Sequence, residues 1–434
     1  MELENLTCAE VTPRENLKTW YSYENIYVSE LQGRVSTSMK FLILNYMVRD
    51  FTGSEVNALQ LCEGLRHLGH DAEIGTFFIG SPLKKQVENR EINIINLLES
   101  NEEVFDHDVI WAHHSPVLAY LLFRKNLTNA RLIYSSLSWL MPLEAPPTFH
   151  DSIPLFLSYS PKNTEVMQQN GVPAEKILLF PNFAPSSFFK GAEKKYPSIP
   201  KKIAVISNHP PKELLDFSEI ARDNAISVDF IGQQHKPMFV DDVTLQPYDL
   251  VITIGKTVFY CFALRTPVYC YDHYDGPGYI TTENFSLNKD NNFSGKGIDR
   301  KLDGRELYDD IIQNYSPNLN NLLYLYKESD QLFNLEKNLK RVIDLIPGLP
   351  LLDIQKFRAE HSLDERIYDL ILMEQEPNLN LVRQLEIAHE EIAFYSQSKS
   401  WKITKPLRQI ASSLSSLTNP RNKNRQGEKK RNSR

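Results

Sequence analysis

The segment from Phe41 to Ile79 constrains this chain more than any other feature. An apolar run, Phe41-Leu42-Ile43-Leu44-Asn45-Tyr46-Met47, leads into the turn Asp50-Phe51-Thr52-Gly53-Ser54-Glu55. Behind the turn, Ala58, Leu61, Leu65 and Leu68 recur at intervals of three and four, which predicts a helix ending at Gly69-His70-Asp71. Ile74 and Phe77-Phe78-Ile79 then predict a second strand. Strand, glycine turn and helix in this order make a βαβ unit, with free backbone N–H groups at the helix N-terminus. Gly53 and Ser54 at such an end suit an anion or a sugar hydroxyl. Glu55 adds a carboxylate that accepts from a hydroxyl. A glycine turn before a helix also serves structure alone, so this motif by itself assigns no function.

The chain has 434 residues, room for two or three domains. Its 41% hydrophobic and 24% charged residues are those of a globular protein. A net charge of -7 supplies no basic field for nucleic acid. Cys8, Cys62, Cys261 and Cys270 form no CxxC pair, and reduced structural thiols of a cytoplasmic protein are expected. The N-terminus lacks a basic stretch followed by an apolar one, and no apolar run reaches the length of a membrane span. A soluble or peripheral protein is expected.

Residues 1–38 are polar and weakly patterned, an extension ahead of the first domain at 39–185. Ile92-Asn93-Ile94-Ile95 and Val109-Ile110-Trp111-Ala112 predict further strands. His113 and His114 close the second of these, and ligands gather at the carboxyl ends of parallel strands. Two readings stand: a site role for one of the pair, or capping and local hydrogen bonds for both. Arg131 to Ser136 begins another strand and runs into a proline-rich loop, 137–147, of the length binding loops have. Leu155 to Ser160 is a strand, Gly171 to Asn182 ends the first half, and 184–202 reads as a linker rich in Pro, Ser and Lys.

A second α/β half, 186–350, repeats the pattern. Ile203 to His209 is a strand ending in Asn208 and His209, with a helix over roughly Lys212 to Asn224 and a strand Val228-Asp229-Phe230-Ile231-Gly232. Tyr248 to Thr257 reads as strand, Gly255-Lys256-Thr257 turn and helix start. This is not a Walker A loop, because Leu250 stands where the upstream glycine belongs. The turn is either structural or a diphosphate contact through Lys256 at a helix N-terminus. Pro267 to His273 is a further strand, and Asp272-His273-Tyr274-Asp275-Gly276-Pro277-Gly278 is dense in polar residues and glycines that permit close backbone approach. Its carboxylates and histidine lie adjacent rather than on one face, which disfavours a metal. Two α/β halves with polar strand ends imply a cleft between them.

Beyond Leu302 the pattern is helical, with a helical extension over 351–408. Leu381, Leu385, Ala388, Ile392 and Tyr395 keep a four-three spacing for two heptads, which leaves both packing onto the body and dimerisation open. Residues 409–434 form a basic tail, and Arg421, Lys423, Arg425, Lys429, Lys430, Arg431 and Arg434 face only Glu428. Such a tail fits either disordered solvation or contact with an anionic membrane surface.

Taken in order, four of these segments resemble GT-B glycosyltransferases of the family-four, retaining type, in the bacterial polysaccharide subgroup. The likeness lies in Phe41 to Thr76 with Thr52-Gly53-Ser54-Glu55, in Gly171-Val172-Pro173 through Pro181-Asn182, and in Tyr248 to Tyr269. The fourth is the tail segment Ser400-Trp401-Lys402-Ile403-Thr404-Lys405-Pro406-Leu407-Arg408. The resemblance implies an α/β fold of two Rossmann-like domains facing a cleft (GT-B), with a helical C-terminal extension. It implies a nucleotide-sugar donor held by the second domain, a glycan, lipid-linked or protein acceptor, retention of configuration, and no metal or other cofactor. Carried over by position, Gly53, Ser54 and Glu55 fall on the acceptor side, and His113 or His114 meets the transferring sugar. Asn208, His209, Gly232, Gly255, Lys256, Thr257, Tyr260, Asp272, His273, Gly276 and Gly278 fall on the donor side.

One departure stands out. The family usually carries two glutamates around the donor loop, and the matching positions here are Ile252 and Tyr260. Either Lys256, Thr257, Tyr260 and Asp272 hold the donor in a divergent way, or the chain is a non-catalytic module that binds nucleotide or a partner enzyme. In the catalytic reading Lys256 and nearby N–H groups stabilise the departing diphosphate, and the acceptor hydroxyl attacks from the same face.

Overall fold

The protein was analysed as a computed structural model that describes residues 38–100, 104–128, 130–138, 141–191, 194–232, 235–398 and Thr404. The expectations for the extension up to residue 37, for Trp139 in the proline-rich loop and for the basic tail lie outside the described residues. The two α/β halves facing a cleft and the helical C-terminal region expected from the sequence are present.

The first half is built on seven strands: β1 (Lys40–Leu44), β2 (Asp71–Thr76), β3 (Ile94–Asn96), β4 (Val109–Ala112), β5 (Arg131–Ser136), β6 (Leu155–Ser158) and β7 (Ile177–Leu179). They run parallel in the order β3-β2-β1-β4-β5-β6-β7. Side chains alternate between the two faces of a sheet, so a parallel sheet covered on both sides needs continuous apolar strands. Accordingly Leu42, Leu44, Ile110 and Tyr134 enter one core while Phe41, Ile43, Trp111 and Ile133 enter the other. Helix α1 (Gly53–His67) buries Ala58, Leu61 and Leu65, and α2 (Ser115–Arg124) follows the histidine pair.

The second half carries β8 (Lys202–Ile206), β9 (Ser227–Ile231), β10 (Leu250–Thr253), β11 (Val268–Asp272) and β12 (Asp275–Tyr279), in the order β9-β8-β10-β11-β12. Only β12 is antiparallel among these strands. Helix α3 (Lys212–Asp223) follows β8, and α4 (Lys256–Ala263) follows β10.

The chain passes between the halves twice, and the crossings are tied together. Ala184 N–H donates to Phe333 O (2.9 Å) and Leu335 N–H donates to Ala184 O (3.0 Å). The supposed linker is thus packed at its start, with Ala184 and Phe188 buried. Helix α5 (Leu335–Leu345) then joins the first half's core, although it falls within the span expected for the second. Leu335 and Leu339 fit against Gly64 of α1, where a Cβ would stand 2.6 Å from Leu339 Cδ1. Burial of each such leucine contributes about 1.5–3 kcal/mol, which fixes the second crossing to the first domain. Finally α6 (Ser362–Gln397) lies along α2, with Tyr368, Leu379 and Val382 packed on the first core.

Candidate functional site

The carboxyl ends of both sheets open into one cleft of about 840 Å³. That is where ligands sit in open α/β sheets. The second domain contributes Ser207, Asn208 and His209 after β8, Gly232 after β9, Thr253 at the end of β10, Lys256 and Thr257 at the start of α4, and Asp272 and His273 at the end of β11. The first domain contributes Arg49 to Gly53 and Val56, with Ser81 and Pro82.

On the second domain the polar groups brace one another. Ser207 Oγ donates to Asp272 Oδ1 (2.9 Å), which also accepts from His273 N–H (2.9 Å). Ser207 Oγ in turn accepts from His209 N–H (3.1 Å), and Thr253 Oγ1 donates to Ile206 O (2.9 Å). Asp272 therefore ties β11 to β8 as well as lining the cleft. Gly232 is required by close approach: a Cβ there would lie 2.0 Å from Ser207 O. Gly255 caps α4 at φ +63, a conformation that favours glycine, with open space where a Cβ would point.

Lys256 is the most unusual group in the cleft. Its Nζ is shielded from water and has no hydrogen-bond partner among the described residues; it lies 3.9 Å from the centre of the Phe183 ring. Burial disfavours the ammonium and lowers its pKa to about 7. His113 of the first domain, expected at the site, is fully buried and is not part of the cleft lining; its Nδ1 stands 3.2 Å from Asn45 Oδ1. Asn45 Nδ2 donates to Met47 O (2.6 Å), so its Oδ1 is the acceptor and His113 carries its proton on Nδ1. Burial first, then the nearby charges of His114 and Lys256, hold His113 neutral. Its Nε2 is left as a lone-pair acceptor without a partner among the described residues.

Other predicted residues fall elsewhere. His114 accepts from Tyr46 N–H at Nδ1 (3.1 Å) and faces Glu144 at 3.6 Å, away from the cleft lining. Glu55 is buried, and its Oε2 accepts from the N–H groups of Arg49 (3.2 Å) and Asp50 (2.5 Å). It shapes the loop ahead of α1 rather than offering itself to an acceptor hydroxyl. Its pKa is raised to about 8, chiefly by burial and also by Asp50, against the pull of those two N–H groups. Ser54 is not part of the lining, whereas Gly53 is, with open space at its Cβ position. Tyr260 reaches the cleft, but its hydroxyl donates to Gln60 Oε1 on α1 (3.0 Å) and its ring stacks on Phe188. Gly276 and Gly278 lie in the edge strand β12 instead of a ligand loop. A Cβ on Gly276 would stand 2.0 Å from Cys270 O, so its close approach is to the neighbouring strand.

Ser207, Thr253, Arg49, Asp50, Leu385 and Glu386 line the cleft without having been expected there from the sequence. Arg49 and Asp50, paired at 2.6 Å, line the cleft from the first domain, where the sequence shows them as a charged pair just before the glycine turn. Leu385 and Glu386 of α6 complete a wall, Glu386 Oε1 accepting from Ser81 N–H at 2.7 Å. Nothing local in the sequence links residues that far apart.

No protein-family model and no curated protein matches this chain. Among solved structures it is similar to Anabaena Alr3699/HepE in complex with UDP-glucose, at 14% identity over 72% of this chain and 100% of that one, with a TM-score of 0.48. It is also similar to a glycosyltransferase from Rickettsia africae, at 12% identity over 72% and 99% of the two chains, with a TM-score of 0.47. For S. aureus TarM the values are 10%, 71% and 99%, with a TM-score of 0.48.

Proposed function

We propose that this protein is a glycosyltransferase: it takes a sugar from a nucleoside-diphosphate sugar held on the second domain and hands it to a glycan, lipid-linked or protein acceptor. The observation that carries the reading is Lys256, a buried amine without a partner beside the first turn of α4, in a cleft lined by the strand ends of both domains. An arriving diphosphate supplies the missing counter-charge, and the backbone N–H groups at the α4 terminus add to it. As the sugar–phosphate bond breaks, charge grows on the leaving oxygen, where Lys256 stabilises it. The departing phosphate itself accepts the proton of the attacking hydroxyl on the same face, so configuration is retained and neither a strong protein base nor a metal is needed.

The test is a thermal-shift panel of UDP, GDP, TDP and ADP with and without a chelator, followed by an assay for released nucleotide with the matching sugar donor. Stabilisation by one diphosphate, unaffected by chelator, and turnover lost in Lys256→Ala support the reading. Unchanged turnover in that variant refutes the role of Lys256.

A specific observation favours a second reading, a non-catalytic module that binds nucleotide or steadies a partner enzyme. Ile252 is fully buried within β10, and the Tyr260 hydroxyl is given to Gln60, so neither replaces a sugar-binding carboxylate. Nucleotide binding without turnover, together with raised activity of a co-expressed transferase, selects it.

A further inference from the structure

On the first domain, segments far apart in the chain meet in one strip of the cleft lining. Leu83 N–H donates to Arg49 O (2.7 Å), and a Cβ on Gly80 would stand 2.7 Å from Arg49 Cγ, so the chain at Gly80 lies directly against that side chain. The next residue, Ser81, donates its N–H to Glu386 Oε1 of α6 (2.7 Å) across 305 residues of sequence. Arg49, Asp50, Ser81, Leu385 and Glu386 thereby form one surface of the cleft that Lys256 and Asp272 line from the second domain.

Charge and space decide what this strip can hold. Asp50 Oδ2 accepts from Arg49 Nε (2.8 Å) and pairs with a terminal guanidinium nitrogen (2.6 Å), while its Oδ1 has no hydrogen-bond partner among the described residues. Glu386 uses Oε1 for Ser81, and among the described residues its Oε2 has no partner either. The charge of Arg49 is met by Asp50, so Glu386 leaves the strip net negative. Carboxylate oxygens only accept, which suits them to hydroxyl and amide donors. A phosphate or carboxylate placed there meets like charge, which weakens its binding. Gly53 provides room, with nothing inside 4 Å of its Cβ position. Leu385, 48% exposed on the outward face of α6 with Leu381 and Ile392, adds an apolar ledge. Hydroxyls that donate from the edge of a ring and C–H groups on its face are the chemistry of a neutral sugar. Independently of the carboxylates, the buried Lys256 amine, without a partner among the described residues, marks the same cleft as one that a polar ligand enters.

We propose that this strip is the acceptor subsite, that it selects a neutral sugar, and that Glu386 of the helical C-terminal region is its specificity-determining residue. The proposal rests on the glycosyl-transfer reading and narrows the acceptor to a sugar hydroxyl. That hydroxyl's oxygen forms the new bond to the anomeric carbon, the bond from that carbon to the diphosphate oxygen breaks, and the hydroxyl proton leaves on the diphosphate. Asp50 and Glu386 hold the neighbouring hydroxyls of the acceptor ring and take no proton.

Titration calorimetry on the full chain, saturated with the diphosphate that stabilises it, tests binding apart from turnover. The probes are octyl β-glucoside, octyl β-galactoside and octyl N-acetyl-β-glucosaminide, set against octyl β-glucuronide, each below its micelle concentration. At least one neutral glycoside should bind about tenfold more tightly than the glucuronide, the size of one charge-assisted hydrogen bond. Glu386→Gln keeps an oxygen for Ser81 N–H; it should weaken the neutral glycoside about tenfold and erase the preference, while diphosphate affinity holds. Equal or tighter binding of the glucuronide by the wild type, no binding of any probe, or an unchanged preference in Glu386→Gln overturns the proposal. A parallel fall in diphosphate affinity overturns it too, because Glu386 would then only support the fold. Sugar donors of the same diphosphate separate this proposal from the reading it rests on. Glycoside binding that needs Glu386, without transfer from any donor, refutes glycosyl transfer and leaves the sugar subsite standing. Transfer to neutral probes that ignores Glu386 refutes the subsite and leaves glycosyl transfer standing.

Discussion

Replacing Lys256 by methionine should stabilise the protein while removing its hold on a nucleoside diphosphate. The side chain keeps its length and its packing on Phe183, and only the amine is lost. Lowering the pKa from 10.5 to about 7 corresponds to roughly 5 kcal/mol at about 1.36 kcal/mol per unit. The contact with the Phe183 ring returns about 1–2 kcal/mol to the charged form, which leaves a gain of about 3 kcal/mol for the variant at pH 7. In a protein of this size that is a rise of about 3–5 °C in melting temperature. The sign with pH follows from the lowered pKa. Below 7 the amine is charged in both states and the burial cost is complete. As pH rises from 7 towards 10.5 the folded form has shed its proton while the unfolded form has not, so the cost fades. The advantage of Lys256→Met should therefore be largest at and below pH 7 and shrink several-fold by pH 10. Differential scanning fluorimetry at both pH values, with and without the diphosphate that shifts the wild type, reads stability and binding together. A lower melting temperature in the variant at pH 7 refutes the unpartnered charge, and an undiminished nucleotide shift refutes the diphosphate role.

Three further outcomes are expected. Gly232→Ala forces Ser207 and the β9 turn apart, because the new Cβ would stand 2.0 Å from Ser207 O; circular dichroism should change little while nucleotide affinity falls at least about tenfold, roughly 1.4 kcal/mol by titration calorimetry. Tyr260→Phe leaves the buried Gln60 Oε1 without its donor and should cost about 1–3 kcal/mol. Adding Gln60→Leu should recover part of that loss in a double-mutant cycle, and strictly additive losses would deny the contact between the domains. Glu55→Gln keeps an acceptor for the Arg49 and Asp50 N–H groups but does not titrate. With the Glu55 pKa raised to about 8, its stabilising contribution is complete below 4.5 and lost as pH rises through 8. The wild type should thus lose up to roughly 5 kcal/mol relative to the variant over that window, and parallel denaturation profiles would contradict the raised pKa.

The strands were legible because a parallel sheet covered on both faces writes itself as short, wholly apolar runs. Val109–Ala112 and Arg131–Ser136 lie where the sequence places them, and the helix predicted over Lys212 to Asn224 ends one residue earlier. What failed to show were contacts between distant segments. The glycines at 276 and 278 signal close approach, but sequence does not say whether the approaching group is a ligand or a strand. Glu55 has the composition of a helix-start carboxylate, yet its partners are N–H groups five and six residues upstream, set by how the loop folds back. Tyr260 matches a family position while its hydroxyl goes to a helix of the other domain. The heptad at 381–395 was visible; that it points away from the body was not, because α6 carries a second apolar face that the four-three spacing alone does not distinguish.

The two sides of the cleft are prepared differently, and the difference indicates where ligand binding does its work. On the second domain, Ser207, Asp272 and Thr253 lock the ends of β8, β10 and β11 to one another, so that face of the cleft is braced before anything binds. On the first domain the loop from Arg49 to Gly53 hangs on one buried carboxylate, Glu55, and on the pairing of Arg49 with Asp50. Between them Lys256 Nζ stands as a donor without a partner among the described residues. A ligand with an anionic oxygen supplies one. Binding then restores a proton to Lys256, so it should draw protons from solution most strongly from about pH 7 to 9. Calorimetric enthalpies measured in phosphate and in Tris should then differ in proportion to the buffers' ionisation enthalpies; equal enthalpies would place the anion elsewhere in the cleft.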